Sequence, residues 1–238
     1  MAPLSAADHV LFALVAFVMP LLMIWRKQPT RFDFALNTVW KIRIYWINSL
    51  VLWAGALIVL GVWWINHRPM FMLGFQFPVD VSFPHWMIIT AAFLLFYFAD
   101  VLFSWTSEGD HPAAGILPAN LREFAHFGSI VSLSAAICEE IIFRGFLVLY
   151  LLTLLDGHPY ASTITVVGSA VVFGIGHSYQ GLTSLFKITL LSLLFAWLFV
   201  ITKSLLLVII LHFAVDFCTG LLALIRMKED KELAQVYR

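Results

Sequence analysis

Charge is scarce in this chain. Asp, Glu, Lys and Arg make up 12% of its 238 residues, against about one quarter in an ordinary soluble domain. The few charges cancel to a formal net charge of zero and form no basic stripe, which argues against nucleic acid as a partner. Cysteine is almost missing: Cys138 and Cys218 both sit in apolar runs, so neither a disulfide framework nor a metal-binding cysteine pair is expected. No H-E-x-x-H zinc helix, internal repeat or low-complexity tract occurs. What the chain has instead is apolar surface, with 62% hydrophobic residues and a mean hydropathy of +0.94. That excess is too large for one soluble core and points to an integral membrane protein.

Runs of about 20 apolar residues between polar breaks mark membrane spans. Seven are expected, at about 8–25, 45–65, 86–106, 125–155, 160–177, 182–201 and 204–225. The expected fold is therefore all-α, a polytopic transmembrane helical bundle forming a single membrane domain over residues 1–238. The fourth run is too long for one crossing, so its beginning should project from the membrane or lie along it. No Lys or Arg precedes the run Val10 to Ile24, whereas Arg26 and Lys27 follow it. A secretory signal has the opposite charge order, so this run reads as a retained first span. Arg26, Lys27, Arg31, Lys41 and Arg43 fall between the first two spans, and Arg226, Lys228, Lys231 and Arg238 follow the last. Basic loops stay in the cytoplasm, so the N-terminus is expected outside and the C-terminus inside. Trp25, Trp40, Trp46, Trp63, Trp64, Trp86 and Trp105 lie close to span ends, as an interfacial aromatic belt requires.

Ionisable residues inside such spans are costly unless paired or wetted, and so they mark function by default. Three short stretches carry them. Glu139 and Glu140 lie together in the fourth run with Arg144 four residues after Glu140, within reach on a helix. Arg144 can neutralise one carboxylate and leave the other as a proton acceptor, since two adjacent carboxylates at low dielectric do not both stay ionised without compensation. A lone Glu–Arg pair could simply hold helices together; a second glutamate beside it asks for more. His177 ends the fifth run, one turn after Phe173, and Gly174 and Gly176 allow another backbone or a substrate close approach. His212 and Asp216 share one face of the seventh run. A carboxylate beside a histidine orients its tautomer, although the pair could equally be structural.

Depth offers a check. Glu139 precedes Leu155 by sixteen residues and His177 follows Tyr160 by seventeen, so both lie about 25 Å from the same end of their spans. His212 lies only about 12 Å from that end. It can meet the others if the Thr202–Ser204 hairpin is recessed or the seventh span is tilted.

At these residues the chain resembles the CPBP family, the CAAX-protease and bacteriocin-processing type intramembrane proteases, also called the Abi family. The family pattern is Glu-Glu-x-x-x-Arg, Phe-x-x-x-His and His-x-x-x-Asn or Asp on successive membrane helices. All three occur here in order: Glu139-Glu140 with Arg144, Phe173 with His177, and His212 with Asp216. Arg68 followed by Leu73-Gly74-Phe75 also resembles a short family signature, giving a motif-bearing core at about 68–217. The resemblance implies peptide-bond hydrolysis. Glu139 would deprotonate a water, His177 would hold it, and His212 and Asp216 would stabilise the oxyanion, with Glu140, Arg144 and Phe173 in support. It leaves the cofactor open between none and Zn2+, for which Glu139, His177 and His212 could supply three ligands. The expected partners are membrane lipid and a peptide or membrane-protein substrate, and the expected location is a bacterial plasma membrane. Prenylated CAAX peptides, bacteriocin leaders, pheromone precursors and sorting tails are all compatible with the family.

Two other classes compete with an intramembrane endopeptidase. A non-catalytic membrane binding or assembly protein of the same fold would leave these ionisable groups scattered. A di-haem or metal-transport bundle would use His177 and His212 and has no need of paired glutamates.

Overall fold

The computed structural model describes residues 3–25, 36–78, 83–103 and 114–236. Among these residues the chain forms seven helices and no strand. They are α1 (Ala6–Trp25), α2 (Thr38–Ile65), α3 (Phe83–Phe103), α4 (121–154), α5 (Ala161–Gly176), α6 (Leu182–Thr202) and α7 (Leu205–Val236). Each expected span corresponds to one of them. Four are long and apolar enough to cross a membrane by length and composition: α1, α2, α6 and the Leu205–Met227 part of α7. Arg26, Lys27, Arg31, Trp105, His111 and Arg238 lie outside the described residues.

Local chemistry explains the boundaries. In α1, Pro20 lacks an N–H and crowds the carbonyl one turn earlier, and the helix widens into a π turn at Leu14–Val18. Asn37 caps α2 by accepting from the Trp40 N–H. The helix therefore starts earlier than its apolar run, and Lys41 and Arg43, expected in a loop, lie on its first turns. Asn120 caps α4 in the same way through the Glu123 N–H. Thr38, Lys41, the Ala119 N–H and Asn120 all donate to the Glu123 carboxylate, at 2.6, 3.2, 2.8 and 2.8 Å. Lys41 also donates to the Leu117 carbonyl at 2.8 Å, so one cluster pins the start of α4 to α2.

The middle of α4 is the centre of the protein. Every residue from Ile141 to Val148 is buried, Arg144 included. This stretch is a π turn, a widened geometry often found beside functional residues, and it begins directly after Glu140.

The far end of the bundle answers the depth question. The α6–α7 turn is recessed: Thr202, Ser204 and Leu205 have no exposed surface. The segment after α2 covers it. Gly74 stands at φ +90°, where its carbonyl accepts from the Leu205 N–H at 2.7 Å, and Ser204 donates to the Gln76 carbonyl at 2.6 Å. A Cβ on Gly74 would come within 2.6 Å of Phe199, so this cover needs glycine for both its backbone angle and its space. Leu73 and Leu205 both lie against Gly145, which sets the turn level with the middle of α4. Starting α7 at that level brings His212 down to the glutamates.

Arg68 anchors the cover. Its guanidinium donates to both Asp8 oxygens at 2.8 and 2.6 Å and to the Pro3 carbonyl at 3.0 Å, tying the end of α2 to the start of α1. Trp63 belongs to this anchor and not to an interfacial belt: it is buried, lies under Arg68, and donates to the Pro69 carbonyl. Trp25, Trp40, Trp46 and Trp64 are exposed, as indoles of an interface would be.

Candidate active site

Three helices deliver the three motifs to one place. Glu140 Oε1 accepts from Arg144 Nη1 at 2.9 Å and stands 2.7 Å from His212 Nδ1. The carboxylate that Arg144 neutralises is therefore Glu140, and Glu139 is the one left over. Arg144 is fully enclosed: it donates to Ser192 Oγ on α6 at 2.8 Å and lies 4.7 Å from the Phe173 ring centroid and 5.7 Å from that of Phe195. Phe173 thus screens the ion pair from lipid while its backbone serves His177.

His177 caps the end of α5, and its Nδ1 stands 2.9 Å from the Phe173 carbonyl. A carbonyl only accepts, so Nδ1 carries the proton and Nε2 is the free nitrogen. That Nε2 lies 3.9 Å from Glu139 Oε2, and His212 Nε2 lies the same 3.9 Å from the same oxygen. Asp216 Oδ2 is 3.6 Å from His212 Nε2. These gaps are too long for direct hydrogen bonds and suit bridging by a small polar molecule. The side chains around the gap keep some exposure, 13% for Glu139, 19% for His177 and 30% for Asp216, whereas Glu140 and Arg144 are sealed. The ionisable groups converge, unlike the scatter of a non-catalytic bundle.

One assignment needs correction. The expected partner that orients His212 was Asp216, four residues along the same helix. The structure puts Glu140 on Nδ1 instead, and Asp216 stands on the Nε2 side beyond hydrogen-bond range. Two residues escaped notice in the sequence. Ser192 fastens Arg144, and a serine among Leu191, Leu193 and Leu194 carries no signal of its own. Thr189 packs against Gly174 so closely that a Cβ there would overlap its hydroxyl, which explains the glycine one turn below the histidine.

Glu139, His177 and His212 have the donor chemistry of a zinc site. Ligand atoms on a tetrahedral zinc, each about 2.0–2.1 Å from the metal, stand roughly 3.3 Å apart. Here both nitrogens are 3.9 Å from Glu139 Oε2, and among the described residues no group of three His, Cys, Asp or Glu side chains is placed to hold a metal. The arrangement as it stands does not fit zinc.

Residues 122–218 match the family model described as type II CAAX prenyl endopeptidase Rce1-like. This stretch is an Rce1-like domain, of the CPBP/Abi family. It contains all three motifs, while Arg68 and Leu73-Gly74-Phe75 precede it. No curated protein and no solved structure matches the chain. An Rce1-like domain supports intramembrane endopeptidase activity in general and implies peptides or membrane proteins as substrates. Together with the apolar helices, it points to an integral membrane protein.

Proposed function

We propose that the Rce1-like domain hydrolyses a peptide bond with a water activated by Glu139 and without a metal ion. The observation that carries this reading is the position of Glu139 Oε2, 3.9 Å from the Nε2 atoms of both His177 and His212, while Glu140 is engaged by Arg144 and by His212 Nδ1. A water in the gap would donate one proton to Glu139 and the other to the free Nε2 of His177. Glu139 takes its proton as the oxygen attacks the scissile carbonyl carbon. Glu139, Glu140 and Asp216 are three carboxylates against one arginine, so His212 protonated on both nitrogens would leave the cluster with a single negative charge. Its Nδ1–H then holds Glu140 and its Nε2–H points to where the oxyanion forms, with Asp216 3.6 Å from that nitrogen. Glu139 returns its proton to the departing amide nitrogen as the C–N bond breaks, leaving an amine and a carboxylic acid.

Orientation follows from charge. Lys41 on α2 and Glu123 on α4 meet at the bundle end where Phe217 of α7 packs on Phe124, and Arg226 lies beyond it. This basic end would face the cytoplasm of a bacterial plasma membrane. The mechanism is tested by incubating detergent-solubilised protein with candidate membrane peptides and reading the products by mass spectrometry. Cleavage should survive exhaustive chelation and vanish in Glu139→Ala. Cleavage abolished by chelation and restored by added zinc would overturn the metal-free reading.

A further inference from the structure

Recessing the α6–α7 turn leaves a space above it that the 70–76 cover only partly fills. Leu205 is level with Gly145, and from there to Leu154 helix α4 rises about 13 Å past the turn. The remaining space is a cavity of about 330 Å³, in the range of small-ligand sites. None of Glu139, His177, His212 and Asp216 lines it, so it is separate from the candidate active site. Its walls are largely apolar, from Phe71, Phe146, Leu149, Leu152 and Phe199.

Two features select a ligand. The first is charge. Arg68 and Asp8 both line the cavity and satisfy one another, with the guanidinium forked onto both carboxylate oxygens. Among the described lining residues Asp8 is the one carboxylate and it is taken by Arg68, whereas the Lys203 side chain is exposed. The second is reach. Lys203 stands on the recessed turn at φ 55° and lines the same cavity as Leu152 and Thr153 near the end of α4, so its stem lies along the apolar wall with its head directed to the open end.

We propose that this cavity is a binding site for an anionic phospholipid, with the phosphate on Lys203 and the adjoining glycerol and first acyl carbons against the apolar wall. A lipid held there would rest on the turn that sets the height of His212, and would brace it. The occupant is an amphiphile because, beside the mutually paired Arg68 and Asp8, the cavity sets the Lys203 ammonium against a largely apolar wall.

The test uses the full-length chain in detergent, read by native mass spectrometry with added dioleoyl phosphatidylglycerol or dioleoyl phosphatidylcholine. Inorganic phosphate alone distinguishes a free anion from a headgroup. Wild-type protein should retain phosphatidylglycerol roughly fivefold better than phosphatidylcholine, the effect of one basic side chain at a membrane surface. Lys203→Asn keeps a residue that tolerates the left-handed backbone and should lose this preference, while Lys203→Arg keeps it. Leu149→Trp, which fills the cavity, should reduce retention of both lipids. Equal retention of the two lipids by wild-type protein, or a preference that survives Lys203→Asn, overturns the proposal. So does inorganic phosphate displacing phosphatidylglycerol at equal concentration.

Discussion

His212 Nδ1 stands 2.7 Å from Glu140 Oε1, the same oxygen that accepts from Arg144. The histidine and the arginine thus meet through one carboxylate atom, and Arg144 in turn is fastened to Ser192. The chain Ser192–Arg144–Glu140–His212 predicts that a residue touching neither water nor substrate governs how His212 is aimed. Ser192→Ala removes a hydrogen bond to a buried charge, of order 1.5–3 kcal/mol. We expect kcat to fall about tenfold or more with KM little changed, and Ser192→Thr to restore most of it. A KM effect with intact kcat would instead place Ser192 in substrate binding.

Gly74 predicts the cost of lifting the recessed turn. Gly74→Ala puts a Cβ into Phe199 and forces a side chain onto a backbone at φ +90°. A left-handed position costs a non-glycine residue of order 1–3 kcal/mol before any clash is counted. Thermal unfolding in detergent should show a lower Tm, and cleavage should fall further than the loss of folded protein explains, because His212 is displaced. Unchanged Tm and activity would mean that the cover does not set the turn.

The close approach of α5 and α6 is tested in the same way. Gly174→Ala should destabilise the protein by overlap with Thr189. Thr189→Ala added to it should recover part of the loss, read as a non-additive double-mutant cycle. Additive effects would contradict the contact.

Acid stability should respond to Glu123. Burial works against its ionised form, yet hydrogen bonds from Thr38 and the Ala119 N–H and the nearby Lys41 hold its carboxyl below the ordinary glutamate value. A depressed carboxylate contributes stability that is complete above its unfolded pKa and is lost as pH falls through the folded one. Melting temperature should therefore decline as pH drops below the normal glutamate range. Glu123→Gln should be less stable at neutral pH and show a shallower decline in acid.

Much of this was legible in the residues themselves. Long apolar runs foretold the helices, because about twenty consecutive apolar residues satisfy their backbone in lipid within one helix, whereas a barrel strand would alternate. Glu139, Glu140, Arg144, His177 and His212 stood out because ionisable groups there need partners, and each has one nearby. The pairing within the group was less legible. Asp216 shares a helix face with His212, but Glu140 comes from another helix at a level set by the recessed turn, and helix periodicity carries no information on that level. The turn itself rests on Gly74 and on Arg68 gripping Asp8 sixty residues earlier in the chain. Such long-range contacts, like that of Ser192, leave no local pattern to read.

The central claim is that Glu139 is the base. Its most direct test compares wild-type protein with Glu139→Gln, which keeps the shape and removes the charge, at equal folded fraction and with one cleavable membrane peptide. Loss of a general base predicts a fall in kcat of about 10²–10⁴-fold with an unchanged melting temperature. A Glu139→Gln protein that cleaves within about twofold of wild type would contradict the account, since side chains that act by proton transfer lose about 10²-fold or more when they cannot accept the proton.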